Sequence, residues 1–300
     1  MSNYISNMVS YLRLPVLASS GLAVLGSGLL YFKQNEIIYP RAIPPDARTN
    51  VPRPSQFGLT SSEELLLPTP DGESLSAFLL RPSDSSPRSN VTVIMFHGNA
   101  GNIGHRLPIG KILVEAVGCH VLMVEYRGYG LSSGNPNEKG LQIDAQTALD
   151  YVRRRAELRG SKIVVYGQSL GGAVGIWLVQ RNLKHGDVKG LILENTFLSI
   201  RKLIPSAFPP ARYLAPLCHQ VWPSEQLLPQ IEDVPILFLS GLQDEIVPAS
   251  QMKALFDSCR SDAKSWREFP GGTHNDTVAQ PNYFESIQEW AFDYVVRNSS

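Results

Sequence analysis

The chain has 300 residues, 43% of them hydrophobic, which is enough for one large buried core. Lys plus Arg and Asp plus Glu each number 27, so the formal net charge is zero, and this balance argues against a nucleic-acid partner. The three cysteines are far apart and show no Cys-x-x-Cys spacing, so neither a disulfide framework nor a metal site is predicted. We also expect no cofactor, and the composition does not indicate an oligomeric state.

The first predicted element is a membrane anchor. Residues 14–32 are uncharged and rich in Leu, Val, Ala and Gly, and a stretch of this length can span a bilayer. Tyr11, Tyr31 and Phe32 at its ends suit the membrane interface. The tail at 1–13 lacks the basic start of a cleaved signal peptide, although a cleaved signal and a buried helix remain alternatives. We predict a single-pass protein of the endoplasmic reticulum or plasma membrane, in contact with the lipid bilayer.

More basic residues follow this span than precede it, which favours a cytosolic location for the domain that follows it. The next segment, residues 33–56, is a predicted linker, because it is rich in proline and polar residues between positions 40 and 54. We expect it to be a semi-extended tether. The globular domain is predicted to occupy residues 57–300.

Within that domain, short apolar runs alternate with stretches of helical periodicity. The first two runs flank an Asp-Gly turn and predict an antiparallel hairpin. The later alternation predicts a mostly parallel, eight-stranded sheet with helices on both faces and ligands at the carboxyl ends of the strands. The eight predicted strands are Glu64–Leu67, Ser74–Leu80, Val91–Phe96, Cys119–Glu125, Lys162–Tyr166, Leu191–Glu194, Pro235–Ser240 and Trp266–Phe269.

The fifth predicted strand runs into Gly-Gln-Ser-Leu-Gly at residues 167–171, followed by the small residues that open a predicted helix. A strand, a glycine-flanked turn bearing serine and a helix form the pattern of a nucleophile elbow. The two glycines let neighbouring backbone pass closely while the hydroxyl of Ser169 is held outward. Taken alone, the five-residue pattern is equally compatible with an ordinary glycine-rich turn.

The partners of a nucleophilic serine must lie on the same edge of the sheet, just past the carboxyl end of a strand. Asp244 follows the seventh predicted strand and His274 follows the eighth, and the order Ser169, Asp244, His274 is that of α/β-hydrolases. The imidazole would accept the serine proton while the carboxylate holds its other nitrogen. Alone, Asp244 could be a turn-forming residue and His274 a loop histidine. Reserve candidates for the acid are Glu194, Glu245 and, more weakly, Asp276.

Acyl transfer also needs backbone N–H groups that stabilise the oxyanion of the tetrahedral intermediate. We predict that Leu170 and Asn99 provide them, because Asn99 lies in a His-Gly turn after the third strand. The same loop does not match a phosphate-binding pattern. His97 is predicted to shape the loop rather than to act as a base.

Together these motifs resemble the bud-emergence hydrolase family of fungi and the related membrane-anchored abhydrolase-domain proteins of animals. The resemblance covers nearly everything after the anchor. It implies an α/β-hydrolase fold, a serine hydrolase with the Ser169, Asp244 and His274 triad, and an N-terminal membrane span. Animal relatives include lipid hydrolases and protein depalmitoylases, but the depalmitoylases carry a cysteine-rich N-terminus that this chain lacks. The motifs that carry the resemblance are Phe96-His97-Gly98-Asn99-Ala100-Gly101-Asn102, Tyr126-Arg127-Gly128-Tyr129-Gly130-Leu131-Ser132, Gly167-Gln168-Ser169-Leu170-Gly171-Gly172, Glu194-Asn195-Thr196-Phe197, Gly241-Leu242-Gln243-Asp244 and Gly272-Thr273-His274-Asn275.

The predicted cap is the proline-rich, apolar insertion at about 197–231, which could instead be a helical connection that packs on the core. An apolar cap would shelter an acyl chain and exclude water. We therefore predict a hydrolase of acyl esters or thioesters whose substrate is an acyl-lipid or an acylated protein. The alternatives are a tethered scaffold without activity and an acyltransferase that uses the same triad. The residues predicted to contact substrate are Phe208, Tyr213, Leu214 and Trp222.

Overall fold

The computed structural model describes residues 26–28, 31–83, 86 and 90–296. The predicted tail at 1–13 and most of the predicted anchor at 14–32 lie outside these residues. Across the described ranges, no helix has the length and apolarity needed to cross a membrane.

The described residues form an eight-stranded sheet in the order β1-β2-β4-β3-β5-β6-β7-β8. The edge strand β1 pairs antiparallel with β2, β2 runs antiparallel to β4, and all other pairs are parallel. The eight predicted strands and the hairpin are confirmed, with bounds that move by at most three residues. The strands are β1 (Ser62–Pro68), β2 (Ser74–Leu80), β3 (Val91–Phe96), β4 (His120–Val124), β5 (Lys162–Gln168), β6 (Val188–Glu194), β7 (Ile236–Gly241) and β8 (Lys264–Phe269).

Burial explains why the strand patterns differ. Every residue of β3 and β7 is buried, which is why these strands read as continuous apolar runs in the sequence. The edge strand β1 alternates instead, with Leu67 buried and Leu66 exposed to solvent.

Helices cover both faces of the sheet, as predicted. One hydrophobic cluster joins α3, α4 and α7 to the sheet, and a second cluster joins α2 and α8 to the opposite face. The predicted cap at 197–231 contains two short α-helices, α5 and α6, and two 3-10 segments, Pro209–Leu217 and Leu228–Gln230. The helices are α1 (31–38), α2 (Leu107–Ile112), α3 (Glu138–Arg154), α4 (Leu170–Asn182), α5 (Ile200–Ala207), α6 (Ser224–Leu227), α7 (Ala249–Ser258) and α8 (Tyr283–Trp290).

The segment predicted as a tether, residues 33–56, differs from that expectation because it packs on the domain. The Tyr39 side chain is buried, and its hydroxyl accepts a hydrogen bond from Nε1 of Trp222 at 3.0 Å. The Asn102 amide donates to the backbone carbonyl of Ala47 at 2.9 Å. The proline-rich composition predicts an extended segment without regular hydrogen bonds. Its backbone carbonyls are therefore available to accept hydrogen bonds from side chains of the domain, such as Asn102.

Candidate active site

The predicted nucleophile elbow is present. The strand β5 ends at Gln168 and α4 begins at Leu170, which leaves Ser169 alone in the turn with φ 53° and ψ −114°. A positive φ is strained for a residue with a Cβ atom and persists only where the surroundings impose it. Here the Ser169 N–H donates to the Glu194 carbonyl at 2.8 Å, and the Thr196 hydroxyl donates to the Ser169 carbonyl at 2.7 Å.

The flanking glycines are required by close backbone approach. A Cβ atom on Gly167 would lie 2.1 Å from the carbonyl oxygen of Gly171. A Cβ atom on Gly171 would lie 2.1 Å from the carbonyl oxygen of Phe96, at the end of β3. These contacts bring the start of α4 against the loop that follows β3, so the elbow and that loop share one edge of the sheet.

The loops after β7 and β8 bring an acid and a base to the serine. Nε2 of His274 lies 3.0 Å from Oγ of Ser169, and Nδ1 of the same ring lies 2.8 Å from Oδ2 of Asp244. The second oxygen of Asp244 accepts the backbone N–H groups of Ile246 and Val247, at 2.9 and 2.7 Å. The carboxylate is therefore held on both sides, and the imidazole lies in line between it and the hydroxyl.

These three side chains have very little access to solvent. Ser169 and His274 are each 6% exposed, and the Asp244 carboxylate is fully buried. A dry setting strengthens hydrogen bonds to charged groups, because less water competes for them.

Asn195, for which the sequence predicts no role, connects the three loops that meet here through hydrogen bonds. It has φ 45°, and its amide nitrogen donates to the carbonyls of Thr273 and His274, at 3.2 and 3.4 Å. Its amide oxygen accepts the Gly241 N–H at 2.8 Å. The signal was available in the Asn-Thr pair that directly follows β6, but the partners of such a pair cannot be known from one sequence.

The reserve acid Glu194 is occupied elsewhere. Its carboxylate is fully buried and accepts hydrogen bonds from the hydroxyls of Tyr166 and Tyr283, the latter at 2.7 Å. Burial raises the pKa of Glu194. It therefore supports the floor of the site, while Asp244 is the carboxylate that meets the imidazole.

The other two reserve acids bind backbone in the loop that carries His274. Glu245 accepts the backbone N–H of His274 at 3.2 Å. Asp276 accepts the N–H and the hydroxyl of Thr273, at 2.7 and 2.6 Å. Both carboxylates fix the loop instead of the ring.

The two predicted oxyanion donors lie at the elbow and in the loop after β3. Leu170 is the first residue of α4, so its N–H has no acceptor within the helix. The Asn99 side chain donates from Nδ2 to the Ile38 carbonyl and accepts the Tyr129 hydroxyl at 2.6 Å. His97 is buried in the same loop, with Nδ1 lying 2.7 Å from the Gly98 carbonyl.

The four residues predicted to contact substrate do not come together. Phe208 and Leu214 line an apolar groove of about 430 Å³ between α1 and the helices of the predicted cap. Tyr213 is 76% exposed and does not line the groove. The prediction that Trp222 contacts substrate is wrong. Its side chain is 1% exposed and belongs to the core beside Tyr39, where the indole ring is covered and its N–H donates a hydrogen bond to the Tyr39 hydroxyl.

No group of three metal-ligating side chains occurs within the described ranges. The three cysteines, Cys119, Cys218 and Cys259, are buried and form no disulfide, and burial raises the pKa of both Cys218 and Cys259. A raised pKa disfavours the thiolate, which is the reactive form, at Cys218 and Cys259.

The chain is similar to known proteins over most of its length. Residues 87–233 match the family described as serine aminopeptidase, S33. The chain is 42% identical to Protein bem46 of Schizosaccharomyces pombe over 97% of this chain and 95% of that protein. It is 39% identical to the uncharacterized membrane protein YNL320W of Saccharomyces cerevisiae, over 91% of this chain and 93% of that protein.

Among solved structures, an α/β-hydrolase from Vibrio vulnificus superposes with a TM-score of 0.70 at 22% identity, covering 86% of this chain and 92% of that one. At that identity the superposition establishes the fold, while the fungal relatives establish the kinship. The chain therefore belongs to the bem46-type family of α/β-hydrolases, and it is a serine hydrolase.

Proposed function

We propose that this protein hydrolyses carboxylic esters or thioesters through Ser169, His274 and Asp244. The observation that carries the proposal is the unbroken contact from Oδ2 of Asp244 through the imidazole to Oγ of Ser169, with both distances at 3.0 Å or less. The backbone supports the same conclusion. Ser169 has a strained, positive φ, and its turn requires glycine at 167 and 171 because other backbone atoms lie too close for a Cβ atom.

The chemistry follows from this arrangement. Oγ of Ser169 attacks the acyl carbonyl carbon while Nε2 of His274 takes its proton, and the imidazolium then gives that proton to the departing alcohol or thiol as the C–O or C–S bond breaks. Water, deprotonated by the same nitrogen, then attacks the acyl carbon. The bond from that carbon to Oγ breaks, Oγ takes the proton back from Nε2, and the acid is released. Asp244 holds Nδ1–H throughout, which keeps Nε2 free to accept a proton.

The developing oxyanion would be stabilised by the N–H groups of Leu170 and Asn99. Removal of one such donor typically costs about 2.7–4 kcal/mol of transition-state stabilisation. The contact between Gly171 and the end of β3 supports this pairing, since it brings the two loops together.

The substrate we propose carries a long acyl chain, on a lipid or on a protein. The groove beside α1 supports this choice because its lining includes Ile37, Ile38, Ile204, Phe208 and Leu214. Its volume of about 430 Å³ falls within the usual range of ligand sites. An apolar groove of this kind stabilises each buried methylene by about 0.8 kcal/mol.

We further propose that the enzyme works at a membrane, held by the uncharged segment 14–32. Two observations support this: a relative 39% identical is named a membrane protein, and the exposed aromatic residues Tyr31 and Phe208 line the groove. Aromatic side chains suit the interface between lipid and water.

The test uses full-length protein in membranes, a fluorophosphonate probe, and the Ser169→Ala variant as the matched control. We expect the wild type to be labelled and to hydrolyse p-nitrophenyl acyl esters and acyl thioesters, and the variant to lose both signals. Folded wild-type protein that is neither labelled nor active would overturn the proposal in favour of a scaffold. Ester product formed in the presence of a competing alcohol would identify acyl transfer instead.

A further inference from the structure

The loop that carries Asn99 is held from two sides by parts of the chain that have no role in the proposed chemistry. One side is the turn after β4, residues 125–130, which belongs to a conspicuous motif in the sequence. The other side is the N-terminal segment 38–50. Both bind the loop at residues 97–103 through several contacts.

The turn after β4 contacts the loop at both ends and in the middle. Oε2 of Glu125 accepts the Ile103 N–H at 3.0 Å, while Oε1 lies 3.0 Å from Nε2 of His97. The Tyr126 hydroxyl donates to the His97 carbonyl at 3.0 Å. The Tyr129 hydroxyl donates to the Asn99 amide oxygen at 2.6 Å, and the Glu125, Tyr126 and Tyr129 side chains are fully buried.

The N-terminal segment supplies carbonyl acceptors on the opposite side. The Ile38 carbonyl accepts Nδ2 of Asn99, and the Ile43 carbonyl accepts the Gly101 N–H at 2.7 Å. Nδ2 of Asn102 donates to the Ala47 and Asn50 carbonyls, at 2.9 and 3.0 Å. Each of these bonds joins residues more than 50 positions apart in the chain.

We propose that Tyr129 and the segment 38–50 are positioning elements that aim the Asn99 N–H at the oxyanion. The inference rests on the proposed function, because it concerns the donor that would stabilise the tetrahedral intermediate. The Asn99 side chain is held by two partners on opposite sides, so the backbone that carries its N–H cannot rotate freely.

Such a donor acts only if it is preorganised, since a displacement of about 1 Å removes much of its effect. In the described hydrogen bonds and ion pairs, neither Tyr129 nor the segment 38–50 is bonded to the triad, so we expect both to act through the loop. The segment that sequence composition indicates as a spacer thus becomes part of the active-site scaffold.

The main test is Tyr129→Phe in the full-length protein, which removes one hydroxyl and keeps the ring. We expect kcat for an acyl ester to fall about tenfold with KM nearly unchanged. The Asn99 N–H would be held less firmly, and it is needed only once the oxyanion forms in the transition state. Inhibition by an acyl trifluoromethyl ketone, which forms a tetrahedral adduct with serine, should weaken by a similar factor.

A second variant tests the N-terminal side. Asn102→Asp keeps the oxygen that accepts the His105 N–H but removes the donor to Ala47 and Asn50. We expect the same fall in kcat and the same weakening of the ketone. Tyr151→Phe is the control, because Tyr151 lies on α3 and its hydroxyl bonds only with Arg155 in the described contacts.

The outcomes separate the two proposals. An inactive wild type refutes the proposed function, whereas an active wild type with unchanged kcat and ketone inhibition in both variants refutes the positioning role. A fall in activity that tracks lost thermal stability, without preferential loss of ketone binding, also refutes it. Retained stability with weakened ketone binding in both variants supports it.

Discussion

The Asp244 carboxylate lies 2.8 Å from Nδ1 of His274 while its other oxygen accepts two backbone N–H groups. The acid is therefore fixed by its own loop before it meets the imidazole. This arrangement allows one carboxylate to orient the ring without moving during the reaction, which is the role that a triad acid requires.

For Asp244→Asn we expect a folded protein with kcat reduced by about 10⁴, because the amide would favour the wrong imidazole tautomer. Steady-state hydrolysis of an acyl ester and fluorophosphonate labelling would measure this loss. Glu245→Gln is the matched control, since Glu245 binds the His274 backbone and not its ring. If the two variants lose activity equally, Asp244 is not the acid.

The second prediction concerns Gly171, whose added Cβ would lie 2.1 Å from the Phe96 carbonyl oxygen. Gly171→Ala should destabilise the fold by at least about 2 kcal/mol and abolish labelling, because rigid backbone must move. Gly186→Ala is the control without a steric clash: its Cβ would meet nothing within 4 Å, so we expect only the cost of its left-handed φ of 65°, about 1–2 kcal/mol, without loss of labelling. Urea unfolding would compare them, and equal effects would argue against the tight elbow.

The third prediction concerns acyl-chain selectivity. Leu214→Ser should lower kcat/KM about tenfold for a long-chain ester and hardly at all for a butyrate ester, because burying a leucine-sized surface contributes about 1.5–3 kcal/mol. Tyr213→Ser, beside it but outside the groove, should leave the chain-length profile unchanged. A profile that shifts only in the Tyr213 variant would place the acyl chain elsewhere.

The fourth prediction concerns pH and stability. Two hydrogen bonds, the stronger effect coming from Arg155 and the weaker from Arg81, lower the pKa of Glu63 from its ordinary value of 4.5. The ion pair between Glu63 and Arg155 joins β1 to the end of α3. Because the folded-state pKa is lower than the unfolded one, ionised Glu63 stabilises the fold above about pH 4.5, and this contribution is lost as the pH falls through the lowered value.

Glu63→Gln should therefore lower the free energy of unfolding at pH 7 by no more than about 1 kcal/mol, since the pair is partly exposed. The difference should shrink below pH 4 and in high salt. Urea titrations at pH 3 and pH 7 would measure it, and a difference that grows towards acid would contradict the sign of the shift.

Much of the fold and the site could be read from the chain. Strands such as β3 and β7 are buried on both faces, so their residues are uniformly apolar and their bounds are visible locally. The positions of Ser169, Asp244 and His274 followed from a topological rule, because the carboxyl ends of parallel strands meet at one edge. Local pattern and topology were sufficient to predict which residues would be neighbours.

Other features could not be read in this way. Trp222 lies in the apolar segment that the sequence predicts to be a cap, yet its side chain is buried. Its indole N–H is bonded to Tyr39, which belongs to the segment predicted to be a linker. The contacts of Asn99 with Ile38 and Tyr129 join parts of the chain separated by 61 and 30 positions.

The sequence by itself therefore determined the order of strands and helices, the elbow and the three residues that meet at it, because periodicity and short motifs encode local backbone. The tertiary structure alone decided which distant residues cover each side chain and what holds the loop at residues 97–103. The physical reason is that hydrogen-bond partners and burial depend on distant segments that only the folded chain brings within reach.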